Sequence, residues 1–461
     1  MHRNDLIQTL EAALPSGRVV SDDATYAPYS KDYSSVTPVI PTVVVKPKNH
    51  KEVGIVLAIA NQTNTPVTPR GTGTGKSGGS IPVQKGIVMS MEAFDNIIEI
   101  DTANRMAVVE PGAICQHINN AAQKEGLMFP VEPSSAHMCT IGGMVAENAG
   151  GLKAIKYGVT GNYVVGLSGF YASGEPFEWG GKLVKNVAGY DLISLIVGSE
   201  GTLVVITKII LKLVPNPKHD IVVWASFDNL ITAAKTLEKF HQTGITPAAA
   251  ELMDKACIKA YETAHNVQVD ASDKEGHVLF QLDGNHKRIL EEEANQIKKY
   301  VESNGATSVK IATEKSEKEL MITIRMGISE ALTAVCTHKE SVDITVPTAK
   351  MADYMTYLTK LNTETEYTIL GYGHLGDGNF HVNILNTTQP EDVWLNDLKK
   401  IEEDLIKKAL SMGGTLTGEH GIGLSKKQYM PLQFSSKDSQ VFQKIKYVFD
   451  PNNGLNPETL I

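Results

Sequence analysis

The chain has 461 residues, 42% of them hydrophobic and 21% charged, enough to bury a large core and to fill two or three domains. A formal net charge of −9 speaks against a nucleic-acid partner, because phosphate binding needs concentrated Lys and Arg. No apolar stretch is long enough to be a transmembrane segment, and the start MHRNDLIQTLEAAL lacks the features of a signal or transit peptide, so a cytoplasmic location is expected.

In chain order, TVVVKP from Thr42 reads as a strand, and Asn49 with Glu52 reads as a capping box opening a helix through Ile59. A short strand then leads into the glycine-dense run Pro69 to Gly79. Further strands are expected in GIVMSM from Gly86, NRMAVVEPG from Asn104 and TLVVITKIILKLVP from Thr202. The last of these ends at Pro215 and Pro217, a domain boundary. Beyond it the glycine density falls. DIVVWASF from Asp220 is a strand, Ile231 to Phe240 a helix, HVLFQLDG from His277 a strand and Leu290 to Ser303 a charged helix. A helix over 315–332, the strand VDITVP from Val342 and a helix over 349–361 continue the alternation, as expected for an α+β sheet with helices on one face. A helix rich in Asp, Glu and Lys runs from Glu391 to about Met412, and the tail from Phe449 is turn-rich. The 4 cysteines, Cys115, Cys139, Cys257 and Cys336, show no C-x-x-C spacing, so no iron–sulfur or Cys-type zinc site is expected in the chain.

Three strings carry chemistry. In PRGTGTGKSGG, Gly73, Gly75 and Gly78 fit G-x-G-x-x-G, and Gly75-Lys76-Ser77 mimics the end of a P-loop. Both readings fail on context. Arg70 stands where a P-loop needs its first glycine, and a strand-like segment follows where a Rossmann turn needs a helix. What remains is a run of glycines whose amides can point inward around phosphates, with a flexible surface loop as the alternative. The strings GHLGDGNFH, with His374 and His381, and GEHGIG, with Glu419 and His420, suggest a divalent metal beside a base. In NFHVNIL, Phe380, Val382 and Ile384 alternate with His381 and Asn383, so a strand aims His381 and Asn383 at one face. Gly376-Asp377-Gly378 is a turn able to fold His374 beside His381. On these residues alone, two histidines that only satisfy hydrogen bonds in a polar interior are the alternative.

Taken in order, VEPG at Val109, TIGG at Thr140, AENAGG at Ala146, KYGVTG at Lys156, KNVAGYDL at Lys185, GSEGTL at Gly198, GHLGDGNFH and GEHGIG resemble the FAD-linked oxidoreductases of the vanillyl-alcohol-oxidase type. The branch is that of the glycolate oxidase flavoprotein subunit, the D-lactate dehydrogenases and D-2-hydroxyglutarate dehydrogenase. The resemblance runs from about Pro41 to Leu460. It implies an α+β fold in which residues 1–216 form an FAD-binding domain, residues 217–416 an α+β cap domain with an antiparallel sheet, and residues 417–461 a segment returning to the FAD domain.

It also implies roles. Arg70, Gly71, Thr72, Gly73 and Thr74, with Gly75, Lys76, Ser77, Gly78 and Gly79, hold the FAD pyrophosphate. Pro133, Ser134, Thr140, Gly142, Gly143 and Ala149 line the flavin, Glu200, Gly201 and Ile206 lie toward the adenosine end, and Asn456 approaches the ring. Relatives that bond FAD covalently use a His or Cys nearby, and here the glycine loop offers Lys76 and Ser77, with His137 and Cys139 in the central string. Non-covalent FAD is expected. His374, His381 and Glu419 bind a divalent metal, Zn²⁺ first with iron or manganese as alternatives, which acidifies the substrate hydroxyl. His420 takes the proton, a hydride passes to flavin N5, and Arg325 with Asn383 binds substrate. Relatives that act on larger diacids carry a basic residue just before the strand at Val342. Here Ser341 and Val342 are nearest, with Lys339 slightly earlier, which favours D-lactate or glycolate over 2-hydroxyglutarate. A dehydrogenase subunit that passes electrons to an electron-transfer flavoprotein or an iron–sulfur partner subunit is the alternative.

Overall fold

Asn49 caps the helix His50–Gln62, its side chain accepting from the Glu52 amide at 3.0 Å. Glu52 does not return the bond to the Asn49 backbone. Its carboxylate instead takes the Lys48 amide at 2.8 Å and Arg18 Nε at 2.7 Å, so the box is replaced by a longer-range ion pair. The apolar side of this helix, Val53, Val56, Leu57 and Ala60, packs with Val43, Val45, Ile87 and Met89 in one core.

The computed structural model describes residues 2–20, 22 and 25–460, and the chain divides into two units. The first contains Met1–Gly151, Val159–Asn216 and Glu419–Ile461, and the second Leu152–Gly158 and Pro217–Gly418. In the first unit the strands Val43–Val45 and Val67–Arg70 flank Ile87–Ser90 in parallel, within a 4-stranded sheet. A 5-stranded antiparallel sheet follows in the order Ile97–Asp101, Met106–Val109, Val204–Lys212, Val164–Tyr171 and Pro176–Gly180. The tail closes on the first sheet, where the Val67 amide donates to the Gly454 carbonyl and the Asn456 amide to the Val67 carbonyl, both at 2.8 Å.

The second unit is organised on a 7-stranded antiparallel sheet. Its order is Ala306–Ala312, His219–Phe227, Gly276–Gly284, Ala249–Asp254, Thr368–His374, Asn379–Asn386 and His338–Thr345. Helices cover both faces, not one as the alternation suggested. On one face Trp224, Met253, Leu279 and Tyr372 share a core with Ile258 of Lys255–His265 and Ile324 and Ile328 of Lys315–Ala334. On the other, Phe280 stacks on Phe240 with centroids 5.2 Å apart, and Phe240 meets Tyr300 of the helix Lys287–Ser303 edge-on. The run IVVWASF, apolar except for Ser226 and buried throughout, is the signature of a strand covered on both sides.

The helix expected over 231–240 is also broken. Leu230–Ala234 is helical, Lys235–Leu237 and Phe240–Thr243 are 3-10 turns. The segment carries threonines whose hydroxyls bond back to carbonyls, Thr236 to Thr232 and Thr243 to Phe240, a competition that weakens a regular helix.

Candidate active site

The hairpin Thr368–His374 and Asn379–Asn386 sets the register on which the site depends. Its turn needs glycine at Gly378, where φ is +83° and a Cβ would stand 2.1 Å from the Val346 carbonyl oxygen. Tyr372 lies opposite His381, His381 opposite Asp343, Asn383 opposite Ser341, and His374 opposite Glu251 of the neighbouring strand. Alternation along each strand puts these side chains on one face and Phe380, Val382 and Ile384 on the other. His374 and His381 are brought together, with ring centroids 5.5 Å apart and planes at 84°.

Both histidines are buried, and each has a buried carboxylate beside it. His374 Nδ1 is 2.8 Å from Glu251 Oε1, which leaves Nε2 as the ring atom able to ligate. His381 Nδ1 is 3.8 Å from Asp343 Oδ1. Asn383 donates to the His381 carbonyl at 3.0 Å, while its Oδ1 is buried with no hydrogen-bond partner among the described residues. Two buried imidazoles in crossed planes, one of them with its Nδ1 held by a carboxylate, suit a borderline-soft divalent ion such as Zn²⁺.

Arg325, on the helix Lys315–Ala334, faces the same side of the sheet and is only 4% exposed. Its Nε and Nη2 lie 2.7 and 2.5 Å from Glu251 Oε2, and its guanidinium carbon is 4.7 Å from the Tyr372 ring centroid. The Nε/Nη2 edge of Arg325, expected to bind substrate, is thus taken by a protein carboxylate. Lys339 Nζ bonds the Ser329 carbonyl at 2.6 Å. Glu251 and Asp343 were not among the residues singled out from the sequence. Their signal was a lone acid within an apolar strand pattern, AAAELM and VDITV.

Asp343 ends the second unit's contribution by accepting from Thr417 Oγ1 and the Gly418 amide, both at 2.8 Å. Glu419 and His420 are the next two residues and belong to the first unit. There His420 Nε2 is 3.8 Å from Glu419 Oε1, and Glu419 Oε2 lies close to Gly150. Gly421 has φ +82°, and a Cβ on it would fall 2.3 Å from Glu147 Oε2. Burial, then the charges of Glu200 and Asp32, push the Glu147 carboxyl well above its usual range. Glu200 accepts from the Ile422 and Gly423 amides at 2.8 and 2.7 Å, and burial outweighs those bonds in raising its pKa.

The glycine loop of the first unit is packed closely enough to require its composition. A Cβ on Gly71 would be 2.1 Å from Thr140 Oγ1, the hydroxyl that caps Ile141–Glu147 by accepting the Gly143 amide at 3.3 Å. Gly142 rests on Pro111 in the same way. Arg70 turns back beneath the loop and donates to the Pro28 carbonyl and Ser80 Oγ, both at 2.9 Å, so its side chain braces the glycines. Thr72 Oγ1 donates to the Met138 carbonyl at 2.7 Å, Lys76 is exposed, and the Ser77 carbonyl accepts from the Leu424 and Ser425 amides. Asn456 Nδ2 ties Gly79 to Glu200 through their carbonyls at 2.6 and 2.9 Å.

Pro133 and Ser134 begin the turns that lead to Thr140, the Ala149 carbonyl accepts from Thr160 Oγ1 at 2.7 Å, and Ile206 lies opposite Gly169 beyond the Glu200-Gly201 turn. Cys139 is buried and its carbonyl accepts from the Cys115 amide, whereas His137 is exposed. Within the loop, buried Ser77 Oγ and Arg70 Nε have no hydrogen-bond partner among the described residues. A glycine-walled loop with such donors to spare fits the oxygen-rich diphosphate of FAD.

Two family models match the chain, FAD binding domain over residues 41–180 and FAD linked oxidases, C-terminal domain over residues 216–460. The chain is 34% identical to glycolate oxidase subunit GlcD of Bacillus subtilis (strain 168), over 93% of this chain and 91% of that one. It is 36% identical to D-lactate dehydrogenase of Archaeoglobus fulgidus, over 91% of each. A solved structure of p-cresol methylhydroxylase has the same fold, with a TM-score of 0.80 at 16% identity over 98% of this chain and 96% of that one. No helix among the described residues is long and apolar enough to cross a membrane. The chain belongs to the FAD-linked oxidases and is an FAD-dependent oxidoreductase, with an FAD-binding domain and a C-terminal domain built on an antiparallel sheet.

Proposed function

We propose that the protein oxidises a small D-2-hydroxy acid, D-lactate or glycolate, to the 2-oxo acid. FAD, held without a covalent bond, supplies the hydride acceptor when bound, and a divalent ion held by His374, His381 and Glu419 supplies a Lewis acid for the substrate hydroxyl. Zn²⁺ suits the donor set best, with iron or manganese as alternatives. His420 takes the hydroxyl proton, Arg325 meets the substrate carboxylate, and Asn383 Oδ1 accepts a hydrogen bond. The observation that carries this reading is the buried polar row on the sheet face, where His374 and His381 stand in crossed planes, each beside a buried carboxylate. Glu419 and His420 follow directly on Gly418, whose amide Asp343 binds.

A small monocarboxylate is favoured over D-2-hydroxyglutarate because Ser341 and Val342 lie opposite Asn383 and Val382, while Lys339 is turned to Ser329. In the assay, D-lactate or glycolate is added anaerobically to the FAD-loaded protein, with metal analysis alongside. Bleaching of the flavin is expected, and an unchanged flavin spectrum with a panel of D- and L-2-hydroxy acids refutes the reading.

A second reading makes the chain the dehydrogenase subunit of a larger assembly, passing electrons to an electron-transfer flavoprotein or an iron–sulfur subunit. It is favoured by an exposed apolar run in the first unit that includes Val187 at 98% and Tyr190 at 95% exposure. Co-elution with such a subunit on size exclusion from native extract supports it, and a free-standing elution position removes it.

A further inference from the structure

Glu251 is 0% exposed and sits on an interior strand of the sheet, where an isolated carboxylate would be strongly unfavourable. Its two oxygens are divided between different tasks. Oε1 faces His374 Nδ1 at 2.8 Å, and Oε2 takes both Nε and Nη2 of Arg325, at 2.7 and 2.5 Å. Tyr372 lies against the guanidinium, so Arg325 has little freedom to turn.

We propose that Glu251 is a positioning residue serving both neighbours. Toward His374 it holds the proton on Nδ1, so that Nε2 presents its lone pair. Toward Arg325 it occupies the Nε/Nη2 edge, so that a substrate carboxylate is met from the Nη1 side by a cation fixed in place. The first half rests on the metal reading given above; the second rests only on Arg325 meeting the substrate. A network that merely holds the helix Lys315–Ala334 to the sheet is the competing account, and it makes a different prediction.

Glu251→Gln separates them. Glutamine offers one oxygen and one amino group. If its oxygen stays with Arg325, its N–H₂ faces His374 Nδ1 and drives the ring proton to Nε2, the wrong tautomer for ligation. If it flips, the amino group faces the guanidinium. Either way one partner is misplaced, in a side chain of nearly the same size.

The test uses the full-length, FAD-loaded protein stripped of metal. Zn²⁺ affinity is measured by competition with a chromophoric chelator, and KM and kcat are measured with D-lactate and glycolate. Removing such a carboxylate behind a histidine ligand typically lowers metal affinity about 10–100-fold, and that loss is expected for Glu251→Gln, together with a KM raised at least about tenfold. Glu251→Asp, which keeps the charge, is expected to recover part of both and serves as the measurable variant if Glu251→Gln does not fold.

Zn²⁺ affinity and KM both within twofold of wild type, whatever the melting temperature does, overturn the proposal and leave a structural role. If wild type itself takes up no Zn²⁺, iron or manganese, the metal reading fails and Glu251 is judged on KM alone. If neither acid is oxidised, the substrate reading fails and Glu251 is judged on Zn²⁺ affinity.

Discussion

Replacing Asp343 by alanine tests whether the strap leading to Glu419 and His420 is anchored as the structure shows. Asp343 accepts from Thr417 Oγ1 and the Gly418 amide at 2.8 Å and from Asn379 Nδ2 at 2.6 Å. Hydrogen bonds to an ionised acceptor contribute ~1.5–3 kcal/mol each, but the three losses are not equal. Asn379 Nδ2 keeps the Ile344 carbonyl at 2.8 Å, and Gly418 is exposed, so water can replace its partner. Discounting for both puts the cost at about 2–3 kcal/mol. In a unit of roughly 200 residues that corresponds to a melting temperature lowered by about 4–12 °C. Calorimetry of the FAD-loaded protein measures it, with Asp343→Asn expected in between, and limited proteolysis is expected to cut faster near Gly418. Melting within about 1 °C of wild type, with unchanged proteolysis, would refute the anchoring argument.

Glu147→Gln addresses the raised carboxyl behind Gly421. A folded-state pKa above the unfolded value means that the stability contribution is fully present below about pH 4.5 and is lost as pH rises toward the folded value, at ~1.4 kcal/mol per pH unit. Glutamine cannot ionise, so the variant should gain in melting temperature over wild type as the pH rises above about 4.5; parallel curves would show that Glu147 is not buried as a neutral acid. Gly378→Ala forces a side chain into left-handed backbone and against the Val346 carbonyl. A loss of at least ~2 kcal/mol is expected in denaturant titration, and a wild-type midpoint would contradict the hairpin geometry.

Signals carried by neighbouring residues were legible in the sequence. Asn49 capped its helix, the alternation in NFHVNIL put His381 and Asn383 on one face, and Gly376-Asp377-Gly378 returned the chain so that His374 met His381. Properties of register were not legible. Glu251 is 123 residues from His374, and nothing in AAAELM says which strand will lie beside it. For the same reason nothing in the sequence showed that Glu251 would take the Nε/Nη2 edge of Arg325. The helix over 231–240 failed through competition from threonine hydroxyls, and coverage of both sheet faces was signalled by an apolar run that was read as an ordinary strand.

The bond from Asn456 to Gly79 spans 377 residues, and the one to Glu200 spans 256. On a ribosome, the glycine loop therefore emerges long before the segment that braces it. The whole intervening Pro217–Gly418 stretch is synthesised first and is free to fold in the meantime. Bracing of the glycine loop by Asn456 therefore waits until after the Pro217–Gly418 stretch has been made, so the two units need not become ordered at the same time.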